Sequence, residues 1–129
     1  MEKILRASKE NSIFMQIDMQ SGITEGILYE NQVMHNARRL IQMSKVLGIP
    51  LIATVLKPER AGYTFESLKE HFHEGVKELP KLSISAMDDE RIRQELESLM
   101  PQRHVVVIWG YQMQSCVMDT AHDLLLKGF

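Results

Sequence analysis

Along this chain, unbroken apolar runs alternate with segments in which apolar residues recur every three or four positions. The clearest pair lies near the C-terminal end. Val105 to Trp109 are five apolar residues, four of them β-branched, and read as a strand buried on both faces. Gly110 ends the run, and a polar turn follows from Tyr111 to Ser115. Val117, Ala121, Leu124 and Leu125 then recur at helical spacing, with Gly128 as a natural stop. Further upstream, IFMQID at 13–18 reads as a first strand ending in Asp18. Val33, Ala37, Leu40, Ile41, Ser44 and Leu47 form one stripe of a helix over 30–47, closed by Gly48 and Pro50. LIATV at 51–55 is a second strand. Thr64 is placed to cap a short helix carrying Phe65, Leu68 and Phe72, which ends near Gly75. Residues 76–87 read as a loop holding Lys81, Ser83 and Ser85. Asp88 or Asp89 then caps a helix with Ile92, Leu96 and Leu99 on one face, and Pro101 lies just beyond it.

Strand, helix, strand, short helix, loop, helix, strand, helix predicts a three-layer α/β/α fold with a parallel sheet. The strand at 13–18 is expected between the other two. Asp18 and the Cys116 turn then share the C-terminal edge, where open parallel sheets form their crevices.

Composition narrows this picture. A chain of 129 residues suits one domain. A net charge of −2, from 15 basic and 17 acidic residues, predicts no nucleic-acid surface. One cysteine makes no internal disulfide and fits a reducing compartment, so the cytoplasm is the expected location, with an organelle left open. The start, MEKILRASKENS, has no apolar run of the secretory kind, and no segment reaches the roughly 20 apolar residues of a membrane span. Nine methionines read as adaptable core filling.

The candidate chemistry centres on Cys116, placed where the turn becomes a helix. Unpaired backbone N–H groups and the positive end of a helix dipole favour thiolate there. The plain alternative is a small buried apolar residue. Asp18 is either a crevice carboxylate or a loop residue satisfying nearby N–H groups. Lys81 taken alone is a solvated lysine. His71 and His73 fall on the expected short helix, two positions and about 200° apart, so they do not converge on a metal, and no metal site is expected. A nucleophilic cysteine needs a base and a cation. Asp18 and Lys81 are candidates, but spacing does not pair them.

The set IDMQ at 17–20, Lys81 before a serine-containing segment, and GYQMQSCVMDTAHDLLLKG at 110–128 resembles the isochorismatase-like cysteine hydrolases from Ile13 onward. The loop KPERAGYTFESL at 57–68 is similar to the branch called isochorismatase domain-containing proteins. The resemblance implies a Rossmann-like parallel sheet and a catalytic triad of Asp18, Lys81 and Cys116. It also implies a non-proline cis peptide at Tyr111–Gln112, with the N–H groups of Gln112 and Cys116 as an oxyanion hole. Gln20, Tyr63 and Ser85 are the candidate pocket residues. LKPERAG after the second strand lacks the metal ligands of the zinc-dependent nicotinamidases, so no cofactor is expected. Cys116 argues against the substrate-assisted isochorismatases.

Two functions follow. One is hydrolysis of a small amide, imide or related carbonyl compound through a covalent intermediate, by an enzyme that forms homo-oligomers. The other is a catalytically inactive, shortened relative acting through oligomeric association, because family members usually continue with more strands after the cysteine-bearing helix. Redox sensing ranks last, since no second cysteine is present to resolve an oxidised thiol.

Overall fold

The computed structural model describes residues 6–129. The first five residues, where the stretch read as lacking a leader begins, lie outside it. Four strands form one parallel sheet: β1 (Ser12–Ile17), β2 (Leu51–Leu56), β3 (Val76–Lys81) and β4 (Val105–Gly110), in the order β3-β2-β1-β4. The expected central position of the first strand holds. β3 replaces the loop expected over 76–87 in its first six residues. Its sequence VKELPK has Pro80 and three charged residues, and it sits at the sheet edge, where a proline is tolerated.

Alternation along β1 sorts the core into two layers. Ile13, Met15 and Ile17 pack with Ile92, Leu96, Val117 and Leu124 on one face. Phe14 packs with Ala37, Ile41 and Leu68 on the other. Helix α1 (Glu30–Leu47) covers the second face through Ala37, Ile41 and Ser44, and Gly48 ends it in the left-handed conformation. Helices α4 (Glu90–Glu97) and α5 (Met118–Leu126) cover the first face. Asp89, the second of the two candidates, caps α4 by accepting from Ile92 N–H at 3.1 Å.

Two further expectations change. The segment after β2 holds two single-turn helices, α2 (Pro58–Ala61) and α3 (Glu66–Lys69), and Phe65 rather than Thr64 precedes α3. Thr64 instead makes an antiparallel bridge with Gln20. β4 is only half buried, because β1 flanks one side and no strand flanks the other among the described residues. No described helix is long and apolar enough to cross a membrane.

Candidate active site

Of the four non-glycine residues with positive φ among the described residues, three stand within two positions of a strand end at the C-terminal edge. They are Asp18 (φ 51°) after β1, Lys57 (φ 41°) after β2 and Gln112 (φ 60°) two residues after β4. Such conformations cost energy and persist where the surroundings enforce them, which makes this edge the place to look for chemistry.

Asp18 is buried, and its left-handed turn carries the carboxylate back over β2. Thr54 donates its hydroxyl to Asp18 Oδ1 at 2.8 Å. Lys81 Nζ lies 2.9 Å from Asp18 Oδ2, and both side chains are essentially closed to solvent. That contact is ionic and off the axis of a directed hydrogen bond. The ammonium instead donates to the carbonyls of Ser83 at 2.7 Å and Ile84 at 2.8 Å. Asp18 Oδ2 is thus held by the ionic contact with Lys81 and faces the Cys116 thiol. A buried lysine at the end of an edge strand requires this kind of compensation, since an unpaired ammonium there is costly.

Cys116 lies in a π-helical turn, Met113–Val117, that leads into α5, and it is 2% exposed. Thr120 ties this turn to the Lys81 loop. Its hydroxyl donates to the Cys116 carbonyl at 2.6 Å and accepts from Ala86 N–H at 3.0 Å. The thiol feels the charges of both Asp18 and Lys81. Its pKa is raised, first by burial and then by the Asp18 carboxylate, against a smaller lowering by Lys81. The expected resting thiolate is thus corrected to a neutral thiol beside a carboxylate.

The structure brings Asp18, Lys81 and Cys116 together and sorts the other candidates. Met100–Pro101 is the only cis peptide among the described residues, so Tyr111–Gln112 is trans, contrary to expectation. Tyr111 is buried with its hydroxyl 3.5 Å from Glu30, and desolvation followed by that carboxylate pushes its pKa up to about 12. Gln112 lines an open cavity of about 400 Å³ with Gly22, Ile23, Leu56, Lys57 and Arg60. Gln20 is fully buried and bonds to the backbone of Leu56 and Gly62. Ser85 caps the short 3₁₀ turn Ala86–Asp88 through Met87 N–H. Tyr63 is exposed, with Lys69 Nζ 5.1 Å above its ring. His71 and His73 lie beyond α3 rather than on it. They reach Gln42 at 3.3 Å and Ser44 at 2.9 Å on α1, and no metal-ligating cluster occurs among the described residues.

Sequence reasoning missed Thr54 and Thr120. The signal for Thr54 was a single hydroxyl inside the apolar run LIATV. Thr120 had a weaker signal, since α5 carries other polar residues.

The isochorismatase domain profile matches residues 12–129. Isochorismatase domain-containing protein 2 of Danio rerio is 36% identical over 129 residues, covering 99% of this chain and 62% of that protein. The chain spans roughly 55–62% of the length of the curated relatives it matches. Among solved structures, the MAR1 ribonuclease of Caenorhabditis elegans superposes with a TM-score of 0.87 at 29% identity, over 97% of this chain and 62% of that one. The YcaC gene product of Escherichia coli, described as an octameric hydrolase of unknown specificity, gives 0.83 at 20% identity, over 100% and 64%. At that identity it speaks for the fold alone. The profile match runs from the first residue of β1 to the last residue of the chain, and so takes in the strand ends that carry Asp18, Lys81 and Cys116. The chain belongs to the isochorismatase-like family.

Proposed function

We propose that this protein is a cysteine hydrolase of a small amide, imide or related carbonyl compound, with Asp18, Lys81 and Cys116 as its catalytic residues. The observation that carries this reading is the buried Asp18–Lys81 pair at 2.9 Å facing a buried thiol. A structural ion pair alone has no need of a cysteine thiol beside its carboxylate.

Because the resting thiol is neutral, Asp18 works as a general base rather than beside a stored thiolate. Its carboxylate takes the Cys116 proton as Sγ forms a bond to the carbonyl carbon. Lys81 offsets the negative charge that this transfer leaves on sulfur and then on the carbonyl oxygen. Collapse breaks the carbon–nitrogen bond, and the proton on Asp18 goes to the departing nitrogen. The acyl group remains on Sγ. Water then gives a proton to Asp18 and attacks the thioester, and the acid leaves as the proton returns to sulfur. The backbone N–H groups of Gln112 and Cys116 remain the oxyanion candidates, with a trans peptide before Gln112. The cavity beside Gln112 suits a small molecule.

Iodoacetamide labelling of Cys116 against pH tests the assignment. The parent should show a labelling pKa above the free-thiol value of about 8.5. Lys81→Ala should raise it further. Asp18→Asn should lower it, labelling faster at neutral pH while hydrolysing no amide. Identical profiles in all three proteins would refute the triad.

A second reading, a non-catalytic relative acting by association, draws on the open outer edge of β4. A homo-oligomer in the cytoplasm is compatible with either reading.

A further inference from the structure

The turn after β1 and the loop after β2 are zipped together beside the site. Phe65 N–H donates to the Met19 carbonyl at 3.1 Å, Gln20 bridges Thr64, and Gly22 N–H donates to the Ala61 carbonyl at 2.9 Å. Gly22 has no room for a side chain, since a Cβ there would stand 2.6 Å from Ala61 O. At the centre lies the Gln20 carboxamide, with no exposure. Its Oε1 accepts from Leu56 N–H at 2.6 Å. Its Nε2 donates to the carbonyls of Leu56 at 2.9 Å and Gly62 at 2.6 Å.

This carboxamide behaves as a surrogate peptide. The Asp18 N–H bond to the Thr54 carbonyl, at 3.1 Å, is the last backbone link between β1 and β2. Gln20 then takes both the N–H and the C=O of Leu56, extending the ladder by one rung where the backbone has turned away. Both donors are engaged and so is the acceptor, so the side chain offers no free N–H to a substrate.

The rung matters because of where Lys81 sits. β3 is an edge strand whose one sheet neighbour among the described residues is β2. Lys81 pairs with Leu56 in register, and its carbonyl accepts from Lys57 N–H at 3.0 Å. Within the sheet, Lys81 is therefore located relative to Asp18 only through the end of β2, and Gln20 fastens that end to the Asp18 turn.

We propose that Gln20 is a positioning residue whose carboxamide fixes the end of β2, and through it the placement of Lys81, relative to Asp18 and Cys116. This rests on the reading of those three residues as the active site. Gln20 touches no reacting atom in this scheme.

The test uses the intact chain and iodoacetamide as the probe of Cys116. Gln20→Met keeps the length and neutrality of the side chain and removes all three hydrogen bonds. Its labelling pKa should rise in the direction of Lys81→Ala. A rise of half a unit corresponds to about a threefold slower reaction at pH 8. Ile41→Ala, in the α1 layer on the opposite face, should lower Tm yet keep the parent profile. If Gln20→Met does not fold, Gly22→Ala is read by the same criterion, because it forces the same zip apart from its other end. A parent-like profile in the folded variant, whatever its Tm, overturns the inference. If Lys81→Ala also matches the parent, the active-site reading falls and this inference falls with it. A responsive Lys81→Ala beside an unresponsive Gln20→Met overturns the inference alone.

Discussion

Thr54 and Tyr111 show how single buried polar groups sustain the site. Thr54→Val keeps the shape of the side chain and removes the donor to Asp18 Oδ1, leaving a buried charged oxygen short of one hydrogen bond. The expected cost is about 1–3 kcal/mol in urea unfolding, with slower turnover because Asp18 loses its fixed orientation. Unchanged stability would mean that the bond is not formed in solution. Tyr111 gives a pH signature. Its folded pKa of about 12 lies above the ordinary value of 10.0, so the folded state holds the proton more tightly than the unfolded state does. The resulting stability is complete below pH 10 and declines as pH rises toward 12, by at most about 1.4 kcal/mol per pH unit. Tyr111→Phe removes this contribution. The parent should lose stability more steeply than Tyr111→Phe above pH 10 in denaturant titrations, and parallel curves would contradict it.

Strand ends decide how these residues meet, and Gly110 shows how little tolerance the edge has. A Cβ at Gly110 would lie 2.1 Å from the Ile17 carbonyl oxygen, on a backbone with φ of 152°. The same carbonyl accepts from Tyr111 N–H at 3.0 Å, so the β1–β4 contact closes directly beneath the Asp18 and Cys116 turns. Gly110→Ala must therefore pry the two strands apart, and we expect a loss above about 3 kcal/mol by thermal or chemical unfolding, with Cys116 becoming open to labelling. The periodic elements were legible in the sequence. α1, α4, β1 and β2 declared themselves through spacing, and the central place of β1 followed from the connections. β3 did not, because VKELPK carries the charges and proline that suit an edge and so has the composition of a loop. The neutral state of Cys116 was hidden for another reason. Position at a turn–helix junction is a local feature, whereas burial and the nearness of Asp18 arise only when β1 and β4 pair. The pairing of Asp18 with Lys81, 63 positions apart in the chain, was likewise supplied by resemblance and not by spacing.

For the molecule as a whole, two edges contrast: the closed one that carries Asp18, Lys81 and Cys116, and an open lateral one. Among the described residues no strand lies beside the outer edge of β4, and next to that edge is an apolar hollow of about 190 Å³ lined by Val106, Ile108, Ala121, Leu124, Leu125 and Phe129. Leu125 and Leu126 are both more than 70% exposed on the same helix. Contiguous apolar surface beside an unpaired strand favours association, and charge is the usual means of preventing it. The chain of 129 residues should therefore self-associate at micromolar concentrations, seen in sedimentation velocity as a weight-average mass that rises with loading. Leu125→Lys places a charge at the lip of the hollow without disturbing the buried core, and should move the population toward the 14.9 kDa monomer with little change in Tm. A parent that stays monomeric across the concentration range would remove the physical basis for assembly through β4. A parent that associates, and whose Cys116 labelling profile is unchanged by Leu125→Lys, would show that the edge serves assembly while the Asp18–Lys81–Cys116 cluster is complete within one subunit.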